Sequence, residues 1–106
     1  MPKYLFKSHL NAEGVKGTMN DGGTGRRAAV EAALASVGGS LETMYYAFGS
    51  TDVYAIVDLP SDAHAVSAAA MVAASGTGSV ETVVLIDPET VDEAAAIQAD
   101  YRPPGG

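Results

Sequence analysis

Two histidines, His9 and His64, five tyrosines and thirteen carboxylates are the side chains from which this sequence could build acid–base chemistry. His9 stands near the end of an aromatic and apolar segment, with Lys7 on the same side of it. If that side faces an enclosed interior, His9 meets Tyr54 and Asp52 of a neighbouring strand. An imidazole beside a carboxylate and a phenol has the makings of a general base with an orienting partner. The competing reading is a strand-end histidine at an interface rim, hydrogen-bonded to backbone or water. Asp52 follows a tight turn, where aspartate commonly bonds its own local backbone, so a turn-forming role stands beside a role in a site. Tyr4, Tyr45, Tyr46 and Tyr54 offer stacking area and hydroxyl donors, although packing accounts for most buried tyrosines. Tyr45 is the one singled out for a pocket. The catalytic candidates are therefore His9, Tyr45 and Asp52.

Gly22–Gly25 followed by Arg26 and Arg27 is the other feature with chemistry in it. Glycines at a helix start expose backbone N–H groups, which favours an anion. Two arginines there oppose the helix dipole unless something negative compensates. That compensation is either an anionic ligand or a carboxylate such as Glu13, Asp21 or one from a partner chain. The lysine and hydroxyl of a phosphate-binding P-loop are missing. Arg26, Arg27 and Tyr54 are the ligand-binding candidates. His64 falls in the first turn of a helix and shares a face with Ser67, Ala68, Met71 and Ser75, a solvated or partner-facing stripe rather than a ligand set. The chain has no cysteine, which removes disulfides, thiolate catalysis and thiolate metal sites. Two distant histidines without a carboxylate at ligand spacing predict no metal. No dinucleotide fingerprint, haem motif, Gly-x-Ser-x-Gly elbow or Ser-His-Asp motif is present, so no cofactor is expected.

The elements that must position these residues can be read from periodicity. Residues 3–10 form a first strand ending at Asn11, which is placed to cap a helix with Glu13 in its first turn. Gly14 and Gly17 weaken that helix, and 20–25 break it. A stronger helix is expected over 25–37, with Val30, Leu34 and Val37 on one face and Gly38–Gly39 ending it. Segments 41–48 and 52–59, joined by Gly49–Thr51, read as an antiparallel hairpin. Pro60 stops the second strand, and Ser61 is positioned to cap a helix over 62–75. Val80–Ile86 is a fourth strand. Asp87 and Pro88 then open a last helix over 89–99, with proline at its first position, before a Pro/Gly tail at 100–106. The expected fold class is α+β: a ferredoxin-like βαββαβ sandwich with an extra C-terminal helix, in one domain over 1–99.

Right-handed crossovers put both long helices on one face of a four-stranded antiparallel sheet. Val53, Ala55, Val57 and Leu59 belong beneath them. The opposite face should alternate with polar residues if it met water, yet 41–48 and 80–86 carry apolar bulk on both sides. Contiguous exposed apolar patches above a few hundred Å² are rare in monomers. Face-to-face packing of two identical sheets about a twofold axis is the economical solution, giving a dimeric α/β-barrel.

Composition narrows the partners. A formal net charge of −7, with only six Lys or Arg, repels a phosphate backbone and argues against nucleic acid and an anionic membrane surface. No apolar run approaches the ~20 residues that cross a bilayer. Without a secretory-type leader or cysteine, a cytoplasmic protein is expected.

The chain resembles the GYD-domain family of small bacterial proteins. The resemblance runs from Met1 to about Glu93. It rests on Pro2, Lys3 and Tyr4, then on Gly23 with Arg26 and Arg27, on Gly38, Gly39 and Leu41, and on Tyr45. It continues through Gly49 with Asp52 and Val57 with Pro60. The family is named for a Gly-x-Tyr-Asp turn, and Thr51 stands where that tyrosine would be. The resemblance implies a dimeric α/β-barrel and leaves activity open, since barrels of this kind serve cofactor-free monooxygenases, lactone isomerases, haem-degrading proteins and ligand sensors. Three functions follow as expectations: binding of a small organic ligand in an apolar pocket between helices and sheet, a cofactor-independent oxygenase or isomerase using His9, Tyr45 and Asp52, or a purely structural oligomer docking through Val91, Ala94, Ala95 and Ile97. The partner in each case is a second copy of the chain, as a homodimer or higher homo-oligomer.

Overall fold

Alternation of Tyr4 and Phe6 with Lys3, Leu5 and Lys7 makes the first strand, β1 (Lys3–Leu10), two-sided, and in the computed structural model, which describes residues 1–106, it is a central strand. The remaining elements are α1 (Ala12–Asp21), α2 (Gly23–Ser36), β2 (Ser40–Tyr46), β3 (Val53–Asp58), α3 (Asp62–Ala74), β4 (Gly78–Leu85) and α4 (Pro88–Ala96). The strands form one antiparallel sheet in the order β2-β3-β1-β4, the ferredoxin-like arrangement. The core lies on one face only. Tyr4, Phe6, Ala55, Val57 and Leu59 from the sheet side meet Leu34 of α2 and Ala65 and Ala68 of α3. The alanines let α3 lie close to the strands.

The helix starts follow the chemistry of their caps. Asn11 accepts the Gly14 N–H at 3.0 Å, Ser61 accepts the His64 N–H at 3.4 Å, and Asp87 accepts the Thr90 N–H at 2.9 Å with Pro88 at the first helical position. Each satisfies a donor that the helix cannot pair internally.

The region 20–25 differs from expectation. It is not a loop: α1 runs through Asp21, α2 begins at Gly23 rather than 25, and a single residue separates them. Gly22 has φ 78°, a left-handed conformation that glycine adopts without strain. Its N–H bonds the Thr18 carbonyl at 2.8 Å and its carbonyl accepts the Arg26 N–H at 3.0 Å, so one residue closes α1 and opens α2.

The second difference is a bulge. The β2–β3 register shifts between Leu41 and Thr43, because Glu42 is the extra residue. Strict alternation grouped Leu41 with Thr43 and Tyr45. The bulge instead sets Leu41 with Met44 and Tyr46 over the core, and turns Thr43 and Tyr45 to the helix-free face.

The third feature is α4. None of its residues is buried, and Val91 and Ile97 are largely exposed. The chain measures 56 × 32 × 22 Å with a radius of gyration of 16.9 Å, against about 13 Å for a compact domain of this length. A nine-residue helix is too short to be stable alone in water.

Candidate functional site

The inner face of the sheet is organised in rows. Tyr46, Val53, Ser8 and Val80 stand abreast across β2, β3, β1 and β4, and Met44, Ala55, Phe6 and Thr82 form the next row. Over these two rows the helices leave a cavity of about 110 Å³. Its apolar wall includes Phe6, Val30, Met44, Val53, Val72 and Val80, and its polar members are Ser8, His9, Thr18, Arg26, Thr77 and Ser79. No Asp or Glu lines it. Thr18 is only 6% exposed, and no buried side-chain polar atom of the chain lacks a hydrogen-bond partner.

Arg26 and Arg27 part company, since consecutive helical residues point about 100° apart. Arg26 lines the cavity and approaches Asp21 at 3.5 Å, which identifies Asp21 as the compensating carboxylate. Arg27 belongs to a separate surface groove with Glu31, Leu41 and Tyr45, and no carboxylate lies within 4 Å of it.

His9 and Asp52 do come together. Nδ1 of His9 lies 3.1 Å from Oδ2 of Asp52, whose side chain is buried while the imidazole is mostly exposed. Asp52 does not cap its own turn: its Oδ2 accepts the N–H of Leu10, 42 residues away, at 2.7 Å, and its own N–H donates to the Ser8 carbonyl at 2.8 Å. The 47–52 connection is thus stitched to the end of β1. Beside it Phe48, at φ 55°, stacks on Tyr46 with ring centroids 5.6 Å apart.

Tyr45 and Tyr54 face each other in register on the helix-free side, away from the cavity, with Lys7 and Glu81 completing their row. Tyr45 is two strands removed from β1 and so from His9. The next row, Thr43, Ile56, Leu5 and Val83, is mainly apolar and half-buried apart from its neighbours. Ion pairs flank it: Lys7 with Glu81 at 3.7 Å, and Lys3 with Glu42 at 2.8 Å and Asp58 at 2.9 Å. The hydrogen bond to Glu42, then that to Asp58, raises the Lys3 pKa above its usual value.

His64 Nδ1 lies 2.7 Å from the Ser61 hydroxyl at the start of α3, exposed and remote from the cavity. No group of three or more His, Asp and Glu side chains is placed to hold a metal ion, and no helix is long and apolar enough to cross a membrane. Sequence reasoning passed over Thr18, Ser8 and Thr77. A lone threonine in a glycine-weakened helix carries no signal, and only the packing of α1 against β1 and the 75–78 turn reveals it.

A four-stranded antiparallel sheet in this strand order with the long helices on one side defines a ferredoxin-like α+β domain. The chain belongs to the GYD-domain family, whose model, described as GYD domain, matches residues 4–95. No curated protein and no solved structure shows a significant match to it.

Proposed function

We propose that the protein binds a small organic molecule in the cavity between helices and sheet, as a homodimeric α/β-barrel protein. The cavity carries this reading. Protein interiors normally leave few voids larger than a water molecule, yet about 110 Å³ stays open here between apolar residues and the polar Ser8, His9, Thr18 and Thr77. A dry cavity of roughly 150 Å³ takes benzene, so this smaller one takes a ligand smaller than an aromatic ring. The experiment is a titration of short-chain alcohols, amides and acids followed by methyl NMR of Val30, Val53, Val72 and Val80. Saturable shifts that Val30→Phe abolishes support the reading. An undisturbed spectrum across the whole panel removes it and leaves assembly alone as the function.

The homodimer rests on the helix-free face. Leu5, Ile56, Val83 and Leu85 form an apolar centre, and the Lys3 and Lys7 ion pairs make a polar rim, which is the anatomy of an interface. Helix α4 adds apolar surface that its own domain leaves uncovered. A single subunit in sedimentation equilibrium at micromolar concentration would remove the dimer. A bacterial, cytoplasmic setting goes with this proposal, on the family resemblance and the cysteine-free composition.

The His9–Asp52 pair favours a second reading, a cofactor-independent oxygenase or isomerase. A carboxylate facing Nδ1 favours the tautomer protonated there and leaves Nε2 as the base. Tyr45 lies outside the reach of that pair. Turnover of phenolic, quinone or lactone substrates that survives His9→Ala would eliminate His9 as the base.

A further inference from the structure

We propose that α4 is an exchanged arm: in the dimer it lies along the β2 edge of the second copy, in the groove between that strand and α2. The inference rests on the homodimer proposed above and adds what covers α4, and where.

The chain specifies α4 as a helix and gives it nothing to pack on. Asp87 accepts both the backbone N–H of Thr90 at 2.9 Å and its hydroxyl at 2.6 Å, and Pro88 holds the first helical position. At about 100° per residue, Val91, Ala94 and Ala95 fall on one side, and Glu89, Asp92 and Glu93 on the other. No strand or other helix of its own chain packs against α4, and none of its residues is buried. A helix this short persists in water only when its apolar side is covered.

A second copy is the surface within reach. The chain leaves β4 at Leu85, which pairs with Lys3 on the helix-free face, and a groove of about 430 Å³ runs from Lys3 and Leu85 to Thr90 at the root of α4. The arm therefore starts at the border of the proposed interface. A twofold axis along the strands sets each row of that face against the same row of the partner, β1 over β3 and β4 over β2. The apolar row then meets itself, Lys3 comes opposite Asp58, and Tyr45 opposite Glu81. The same operation brings the root of α4 level with the start of the partner's β2. Packed sheets lie about 10 Å apart, and a nine-residue helix rises about 14 Å, so α4 spans the gap.

The β2 edge is built to receive it. A groove of about 460 Å³ there is bordered by Leu41, Met44 and Tyr45, and Tyr45 is 70% exposed. Of its two carboxylates, Glu42 is taken by Lys3 and Glu31 stands one helical turn from Arg27. Lys3, Lys7, Lys16 and Arg26 all pair with carboxylates of their own chain, and Arg27 does not. A helix with three carboxylates and no base answers that unpaired guanidinium. It also covers a strand edge whose open backbone would otherwise recruit further chains.

The test uses cysteine, which the chain lacks. Asp92→Cys and Glu31→Cys are both exposed positions, one on α4 and one on the α2 wall of the groove, and neither belongs to the apolar contact. The full chain carrying both is treated with a short bismaleimide at micromolar concentration, and the same samples are sedimented. The double variant should give a covalent dimer, an equal mixture of the two single variants should link one chain of each kind, and each single variant alone should stay unlinked. Val91→Asp should weaken the dimer about tenfold with the circular dichroism of the sheet unchanged. A link within one chain places α4 on its own subunit, and a link in Asp92→Cys alone places it on the partner's α4; either overturns the arm. A sedimenting dimer without the link, or a Val91→Asp dimer as tight as the parent, also overturns the arm and leaves the dimer standing. A monomer overturns both.

Discussion

Oδ2 of Asp52 serves two neighbours at once: it lies 3.1 Å from Nδ1 of His9 and accepts the Leu10 backbone N–H at 2.7 Å. The two partners differ in what they contribute. The amide is a part-buried donor that must be satisfied, whereas the imidazole is mostly exposed. Asp52→Ala should cost about 1–3 kcal/mol, the penalty of an orphaned buried donor. Asp52→Asn, which keeps an acceptor oxygen, should cost less than half as much. His9→Ala should stay within about 0.5 kcal/mol of the parent. Urea unfolding of the three variants checks the order.

Tyr4 supplies a pH dependence. Its side chain is buried and its hydroxyl donates to Oδ1 of Asp62 at 2.6 Å. That hydrogen bond first, then burial and the charge of Asp62, raise the phenol pKa above 10.0. The folded state therefore favours the neutral phenol. Its contribution to stability is complete below the unfolded value and is lost as pH rises through the folded one. Tyr4→Phe should be less stable than the parent at pH 8, and the difference should shrink above pH 10. Unfolding curves measured in parallel across that range show it.

Two glycines in α1 should respond to alanine with opposite signs. A Cβ on Gly14 would collide with the Thr77 carbonyl oxygen and press on the Leu10 side chain at 3.1 Å. Gly14→Ala should lose about 1–3 kcal/mol, as overpacking does, despite alanine's better helix propensity. At Gly17 nothing lies within 4 Å, so Gly17→Ala should gain about 0.5–1 kcal/mol. Thermal melts separate the pair.

Ile56 sits at the centre of the helix-free face, between Thr43 and Leu5. Ile56→Lys should leave the secondary structure unchanged, because the side chain points away from the core, and should convert the proposed dimer to monomer in sedimentation at micromolar concentration. A dimer that persists would move the interface elsewhere.

Much of this architecture could be read from residue types. The caps at Asn11, Ser61 and Asp87, the buried set Val53, Ala55, Val57 and Leu59, and the meeting of His9 with Asp52 all depend on local chemistry or simple alternation, which a linear pattern carries. What escaped is tertiary. Gly14 looked like a weakness in a helix, and it is there because the 75–78 turn comes within contact distance. Glu42 gave no sign of being a bulge, since a bulge is defined by the partner strand's register. Tyr45 reads as pocket-lining from its residue type, and that one extra residue sends it to the other side of the sheet. Arg26 and Arg27 looked like a unit, and helical geometry assigns them different surroundings.

Only 12 of 106 residues are buried, a thin core for a chain with a helix extending beyond it. A fold with so little internal reserve would gain from any native-state partner, because each molecule that binds only the native form shifts the unfolding equilibrium by mass action. If the proposed dimer and ligand form, dilution acts as a mild denaturant and a filled cavity as a stabiliser. The melting temperature is then a property of the solution as much as of the polypeptide.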